Sequence, residues 1–290
     1  MILITGATGL NGTALVLEFM KRKEPVRVLV RDPKEATKFD NSLVEVFVGD
    51  MQEAETLTDT LKGVEKVALI SSADPEKMAV TQESFIDAAK VAGVRHIIKL
   101  SCLNADIHSP ARFIRMHGEI EKHLEDSGMA WTHIRPTHFM QNYLLNAPTI
   151  AAQNAFYYPM GHNAVAPIDV HDIAKVFYET LTAAGHENKV YELSGPEAPT
   201  MNDIASHLSK TLDRSIRYVD VSPEEYRRQL VSFGMPEGLA DAINELYDER
   251  RKGTESKVLL ATHGLFNVKP TTFAEFLGQN IEAFGGAQMK

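Results

Sequence analysis

Short apolar runs and amphipathic stretches alternate through the first half of the chain. Ile2–Thr5, Val26–Val30, Leu43–Val48, Lys66–Ile70, His96–Leu100 and Ala130–Ile134 read as strands. They lack the in–out alternation of a half-wetted strand, so both faces are expected to be covered. Between them the pattern predicts helices over Leu10–Lys21, up to Leu61, over Val80–Ala92 and over Pro110–Ser127. Leu10, Ala14, Leu17 and Met20 would share one face of the first, and Phe85, Ala88 and Ala89 the inner face of the third. Gly93 and Gly128 stand just past two helix ends, where a left-handed cap is needed. Strands separated by helices define a doubly wound α/β fold with a parallel sheet, whose ligands bind outside the carboxyl ends of the strands.

The pattern loosens after Pro136. Gln153–Ala166 reads as irregular or short strand, Asp169–Ala184 as helix and Lys189–Leu193 as strand. Thr200–Leu212, Pro223–Ser232, Pro236–Arg251 and Thr271–Phe284 read as helices. The expected organisation is a Rossmann core over residues 1–136 and a smaller α/β cap over 137–290 sharing that core.

Composition narrows the partners. The 290 residues carry a formal charge of −9, which disfavours nucleic acid and anionic membrane. The single cysteine, Cys102, excludes an internal disulfide and fits a cytoplasmic protein. No signal peptide and no membrane-length apolar run is read. The expected state is a monomer or homodimer acting on a small molecule.

The chemistry begins at Thr5-Gly6-Ala7-Thr8-Gly9-Leu10-Asn11-Gly12, a G-x-x-G-x-x-G turn between a strand and a helix. Gly6 would permit the tight turn, Gly9 the approach of a pyrophosphate, and Gly12 the close packing of helix on strand. The helix N-terminus adds N–H donors and a positive dipole. With Thr8 and Leu10, these residues are assigned to an NAD(P) cofactor. Arg31 stands at the tip of the second strand, where it would meet a 2′-phosphate, so NADP(H) is expected over NAD(H). Asp32 before Pro33 reads better as a helix cap. Asp50 and Met51 follow the third strand and are candidates for the adenine end; Ser71 and Ser72 end the fourth, where the backbone should pass the cofactor.

Together with this loop, Leu29-Val30-Arg31-Asp32-Pro33, Leu69-Ile70-Ser71-Ser72, Ala88–Val94, Lys189–Leu193 and Gly234–Ala240 make the chain resemble the NmrA-like atypical short-chain dehydrogenases/reductases over nearly its whole length. The likeness is greatest to members that reduce quinones, triphenylmethane dyes and azo dyes. Ordinary relatives carry Tyr-x-x-x-Lys after the fifth strand, the Tyr as general acid. In the register set by Gly118–Glu121 those positions hold Phe113 and His117, while the usual serine is kept as Ser101. The resemblance assigns Ser101 and His117 to the reaction and to the nicotinamide ribose. It also draws Thr137, Phe139 and Asn142 towards the nicotinamide or the acceptor.

Ketone reduction leaves a strongly basic alkoxide and needs a placed donor. A quinone leaves a phenolate-like anion with a pKa near the tyrosine range of about 10, which is easier to protonate. A cationic dye leaves no new oxyanion. The expected activity is therefore NADPH-dependent hydride transfer to a quinone-like, dye-like or azo acceptor, with Phe156 and Tyr157 as possible aromatic walls. The alternative is a non-enzymatic NADP(H) sensor of the NmrA type. His117 and Glu121 could form half a metal site, but no third ligand has suitable spacing, so no metal is expected.

Overall fold

The structure, a computed structural model, describes residues 1–39 and 41–286. Its strands are β1 (Ile2–Ile4), β2 (Val26–Val30), β3 (Val44–Val48), β4 (Lys66–Leu69), β5 (His96–Leu100), β6 (Ala130–Pro136), β7 (Ala155–Tyr158), β8 (Lys189–Leu193) and β9 (Arg217–Asp220). The first helices are α1 (Leu10–Arg22), α2 (Thr58–Leu61), α3 (Met78–Val91), α4 (Arg112–Asp126), α5 (Ala147–Gln153) and α6 (Val170–Thr182). They are followed by α7 (Met201–Leu212), α8 (Pro223–Ser232), α9 (Glu237–Arg250), α10 (Ala261–Leu265) and α11 (Phe273–Gln279). None of the described helices is long and apolar enough to cross a membrane.

The chain forms two compact units. One comprises Met1–Ser109, Ile114–Arg135 and Val170–Glu192; the other comprises Pro110–Phe113, Pro136–Asp169 and the residues from Leu193 onward. The loss of periodicity at Pro136 thus marks an excursion: the chain returns at Val170 to add α6 and β8 to the first unit.

The first unit is built on a seven-stranded sheet of order β3-β2-β1-β4-β5-β6-β8, in which β1 to β6 pair in parallel. The order reverses between β1 and β4, the switch point of a doubly wound Rossmann sheet. All five residues of β2 are buried, whereas edge strand β3 exposes Glu45 and Val48. Arg27, in the middle of β2, is buried because its guanidinium donates to Glu45 Oε2 at 2.9 Å and to the Thr60 carbonyl at 2.6 Å. α1 turns Ala14, Leu15, Val16 and Phe19 inward, while Leu10 and Leu17 are exposed. The inner face is therefore rotated from the expected one, because α1 is covered on one side by α6. There Phe19 meets the Tyr178 ring edge-on at 5.0 Å, and Arg22 lies 4.7 Å over the same ring.

The second unit holds the parallel pair β7–β9, with Ala155 opposite Arg217 and Tyr158 opposite Asp220. Its core gathers Tyr143, Phe156, Tyr158, Met201, Ile204, Phe273 and Phe276. Helices α7, α8 and α11 start at Thr200, Ser222 and Thr272, each closed by a capping box with an acidic residue three positions on. The expected final helix to Phe284 ends at Gln279. A buried ion pair, Arg250 Nε to Glu255 Oε1 at 3.0 Å, also ties down the backbone, since Glu255 Oε2 accepts the His138 N–H at 2.8 Å.

Removing one member of such a pair strands a charge in the interior. Arg250→Met is expected to cost about 3–5 kcal/mol in urea unfolding. Adding Glu255→Gln should recover part of it; strictly additive losses would show that the two side chains are not coupled.

Candidate active site

Because β1 to β5 run parallel, Gly6, Arg31, Asp50, Ser71 and Ser101 follow the carboxyl ends of successive strands and share one edge of the sheet. Thr5 stitches the first of these ends to the fourth. Its hydroxyl donates to the Ile70 carbonyl at 2.7 Å and accepts the Ile70 N–H at 2.9 Å. The turn at Gly6 has φ +59°, and a Cβ there would lie 2.7 Å from the Ile70 carbonyl oxygen. A Cβ on Gly12 would lie 2.1 Å from the Gly6 carbonyl oxygen, so α1 sits against the loop closer than any side chain allows. Gly9 is the N-cap of α1. No side chain caps it, and no acidic residue stands in the first turn. Asn11 Oδ1, in the first turn of α1, is buried without a partner among the described residues. An uncapped helix start behind a glycine turn fits an anionic pyrophosphate, and these residues accommodate the dinucleotide that the sequence calls for.

The flanking residues fall into place unevenly. Arg31 is exposed at the β2 tip. Asp32 acts as the expected cap, its Oδ1 accepting the Lys34 N–H at 2.9 Å ahead of a 3₁₀ turn over Pro33–Phe39. That turn carries Glu35 to within 3.4 Å of Thr8 Oγ1 and 3.1 Å of Lys38 Nζ, an acidic neighbour of the glycine loop that spacing did not announce. Asp50 closes its own turn by accepting the Gln52 N–H at 2.9 Å, and Met51 is buried. Ser71 accepts from Gln82 Nε2 at 2.9 Å; Ser72 is exposed.

Between β5, α4 and β6 lies a buried polar network. Lys99 of β5 is fully buried, and its Nζ is 2.7 Å from His117 Nδ1 and 3.2 Å from the Leu100 carbonyl oxygen. One helical turn beyond His117, Glu121 is held by Arg135 of β6, whose Nε donates to Oε1 at 3.0 Å and whose Nη2 donates to Oε2. Ser101 Oγ is buried with no hydrogen-bond partner at normal distance among the described residues, although its hydroxyl still helps keep the Glu121 carboxyl ionised. Burial lowers the Lys99 amine to about 8, against the pull of Glu121. Burial, then Lys99 and Arg135, push the His117 imidazole well below its ordinary value, so it is neutral at pH 7. Burial alone would raise the Glu121 carboxyl, but the Arg135 hydrogen bonds and the nearby cations bring it below the usual range. On β6 itself His133 is stacked on Trp131, 4.5 Å between centroids, and burial lowers it to about 3.

Lys99 was not among the candidates, although a signal existed. A lysine inside the apolar run His96–Leu100, on a strand covered on both faces, has no route to water and must find a buried partner. Phe113 is buried on α4 where the phenol was sought.

The remaining candidates lie in the second unit. The Thr137 hydroxyl donates to the Ala166 carbonyl at 2.5 Å inside that unit. Phe156 is fully buried between Tyr158 and Tyr218, 6.2 and 5.6 Å between centroids, so it is core and not a wall for an acceptor. Tyr157 is partly buried and donates to Gln153 Oε1 at 2.7 Å. Asn142 offers its carbonyl to Tyr158 and its amide to His138 Nδ1 at 3.4 Å. Phe139 is half-buried and pairs with Ile168 through a single bridge.

A doubly wound sheet with a glycine cradle at its switch point, and a helix bearing Phe and His where Tyr and Lys would stand, defines an atypical short-chain dehydrogenase/reductase scaffold. Residues 1–277 match the model of the NmrA-like family, and the chain belongs to that family. It is 37% identical over 287 residues to an NAD(P)H azoreductase of Xenophilus azovorans, covering 99% of this chain and 100% of that one. The crystal structure of an NADPH-dependent quinone oxidoreductase from Escherichia coli, complexed with NADPH, superimposes with a TM-score of 0.89. It is 34% identical and covers 97% of this chain and 100% of its own. The Citrobacter sp. triphenylmethane reductase complexed with NADP(H) gives a TM-score of 0.86 at 27% identity, covering 96% and 99%.

The buried histidines set an acid limit. His133 and His96, the latter lowered by burial to about 4, stay neutral in the fold but would bind protons at about pH 6.5 once unfolded. Stability should therefore be intact above pH 6.5 and decline as the pH falls towards 4, by about 1.4 kcal/mol per pH unit for each histidine. His133→Phe should flatten the slope of urea stability between pH 6.5 and 5 by about one proton. A slope as steep as that of the parent would show that His133 is not held neutral.

Proposed function

We propose that this chain is an NAD(P)H-dependent oxidoreductase that delivers a hydride to a quinone-like, dye-like or azo acceptor, with NADP(H) preferred to NAD(H). The observation that carries this reading is an uncapped glycine cradle at the switch point of the sheet together with an α4 that bears Phe113 in place of the phenol and a neutral imidazole, His117, in place of the amine. The relatives named above, a quinone oxidoreductase, an azoreductase and a triphenylmethane reductase, support the acceptor class.

When bound, the nicotinamide supplies the hydride. The residues of the chain do the rest. Gly6 and Gly9 let the backbone approach the pyrophosphate, and the start of α1 offers it N–H donors. Arg31 meets the 2′-phosphate. Ser71 and Ser72 border the cofactor backbone, and Ser101 and His117 border the reacting end. His117, neutral at pH 7, gives a proton to a phenolate-like product, a task far lighter than quenching an alkoxide. The acceptor is aromatic, and the protein works in the cytoplasm, in keeping with its single cysteine.

Purified protein is expected to consume NADPH with at least one acceptor from a panel of quinones, triphenylmethane dyes and azo dyes, followed by loss of NADPH absorbance. Consumption with none of them would overturn the reading and leave a cofactor sensor, for which oxidised and reduced cofactor must bind with different affinity. Arg31→Ala should narrow the NADPH/NADH affinity gap in a fluorescence titration; an unchanged gap would remove Arg31 from the cofactor site.

A further inference from the structure

The helix that carries His117 has that imidazole where an amine is expected, yet an amine is present. It comes from the other side, off strand β5. Resting on the reductase reading above, we propose that Lys99 is a positioning residue and proton store for His117: it fixes the ring proton on Nε2 and resupplies the ring once that proton has gone to the reduced acceptor.

The geometry supports this in three ways. First, Lys99 is fully buried whereas His117 as a residue keeps some exposure, so of the two it is the histidine that stands nearer an acceptor. Second, a 2.7 Å contact between an amine and an imidazole nitrogen requires one to donate to the other. An ammonium has only donors, so Nδ1 accepts, and the single proton of the neutral ring must sit on Nε2. Third, Nδ1 is taken by Lys99 and Nε2 makes no hydrogen bond among the described residues, so Nε2 is the ring atom left for a ligand.

The surrounding charges keep this arrangement mobile with respect to the proton. Glu121 and Glu125 face the network from α4, His133 and Arg135 from β6, Ser101 and Cys102 from the turn after β5, and Glu192 from β8. The two hydrogen bonds from Arg135, with the neighbouring positive charges, favour the ionised Glu121, so the carboxylate does not take the Lys99 proton. With its amine lowered by burial to about 8, Lys99 is mostly charged at pH 7 and gives up a proton more readily than an exposed lysine does. The oxygen of a reduced quinone, near 10, takes that proton downhill.

The step balances as two concerted shifts. The Nε2–H bond of His117 breaks as a new O–H bond forms on the product anion. An N–H bond of the Lys99 ammonium breaks as Nδ1 gains that proton. The net change is one proton moved from Lys99 to oxygen, leaving a neutral amine and a neutral imidazole protonated on Nδ1. After product leaves, a solvent proton enters at Nε2 and the reverse shift restores Lys99.

The test begins with cofactor-free protein. Nitrogen-15 NMR of His117 at pH 7 should show the Nε2–H tautomer, and Lys99→Met should erase that preference and move the His117 pKa upward. Parent protein showing the Nδ1–H tautomer would overturn the proposal outright. Should the Met variant not fold, the parent alone decides it: the tautomer preference must weaken as pH rises through about 8, and a preference unchanged to pH 10 would overturn it. Kinetics separate relay from packing. Lys99→Met should slow quinone reduction by about 10²-fold or more, with a loss at least tenfold greater than on a cationic triphenylmethane dye, which leaves no oxyanion to protonate. Equal losses on the two would refute the proton store. If neither acceptor is reduced while the Nε2–H tautomer is observed, the reductase reading fails and the positioning role of Lys99 stands.

Discussion

A charged amine in the middle of a doubly covered strand is the constraint around which the candidate site is organised. Taking a lysine out of water costs several kcal/mol unless its protons are shared. Lys99 has no exit along β5, so its neighbours must supply acceptors, and they are the Leu100 carbonyl and an imidazole. Burial, reinforced by that neighbouring charge, keeps His117 neutral. The cation beside it also calls for a compensating anion, Glu121, and Glu121 in turn draws in Arg135. Each member is tolerable only with the next in place, so the network ties α4 to both β5 and β6 as well as setting its chemistry.

The opposite part of the sheet edge is governed by closeness instead of charge. Thr5 and Ile70 exchange two hydrogen bonds through a side chain, which draws the end of β1 against the end of β4. The glycine turn is then wedged between Ile70 and the first turn of α1, with no room for a Cβ at either Gly6 or Gly12. A helix start held this tightly presents its amides at a defined place, which is what a diphosphate needs. The shape of the cradle is thus a packing property of three backbone segments, the end of β1, the end of β4 and the first turn of α1.

Much of the fold was legible because doubly covered strands declare themselves as unbroken apolar runs. β1 to β6 fall within a residue or two of those runs, and Gly93 and Gly128 take the left-handed conformation expected after helices. Other features left no such trace. β9 is four residues with two exposed, and it pairs only with β7, so neither its composition nor its period marks it. The inner face of α1 was misplaced because Leu10 and Leu17 keep the helical period yet face outward, a choice made by the position of α6. The glycine turn and its close contact with α1 were readable from local spacing. Phe156 was not, since an aromatic next to a turn has the same sequence whether it lines a pocket or fills a core. Lys99 needed a question about burial rather than about motif: where does a lysine go when its strand has no wet face?

The return of the chain at Val170 bears on synthesis. The face of α1 that carries Phe19 is covered by α6, more than a hundred residues downstream. At roughly 5–20 residues per second, that face waits on the order of ten seconds after leaving the ribosome for its cover. During that interval the nascent sheet lacks its outer strand β8 and exposes apolar surface that other chains can bind. Residues 136–169 of the second unit emerge before the first can close, so the two cannot mature strictly one after the other. A chaperone that shields α1 during that interval would raise the yield of native protein without touching the cofactor site.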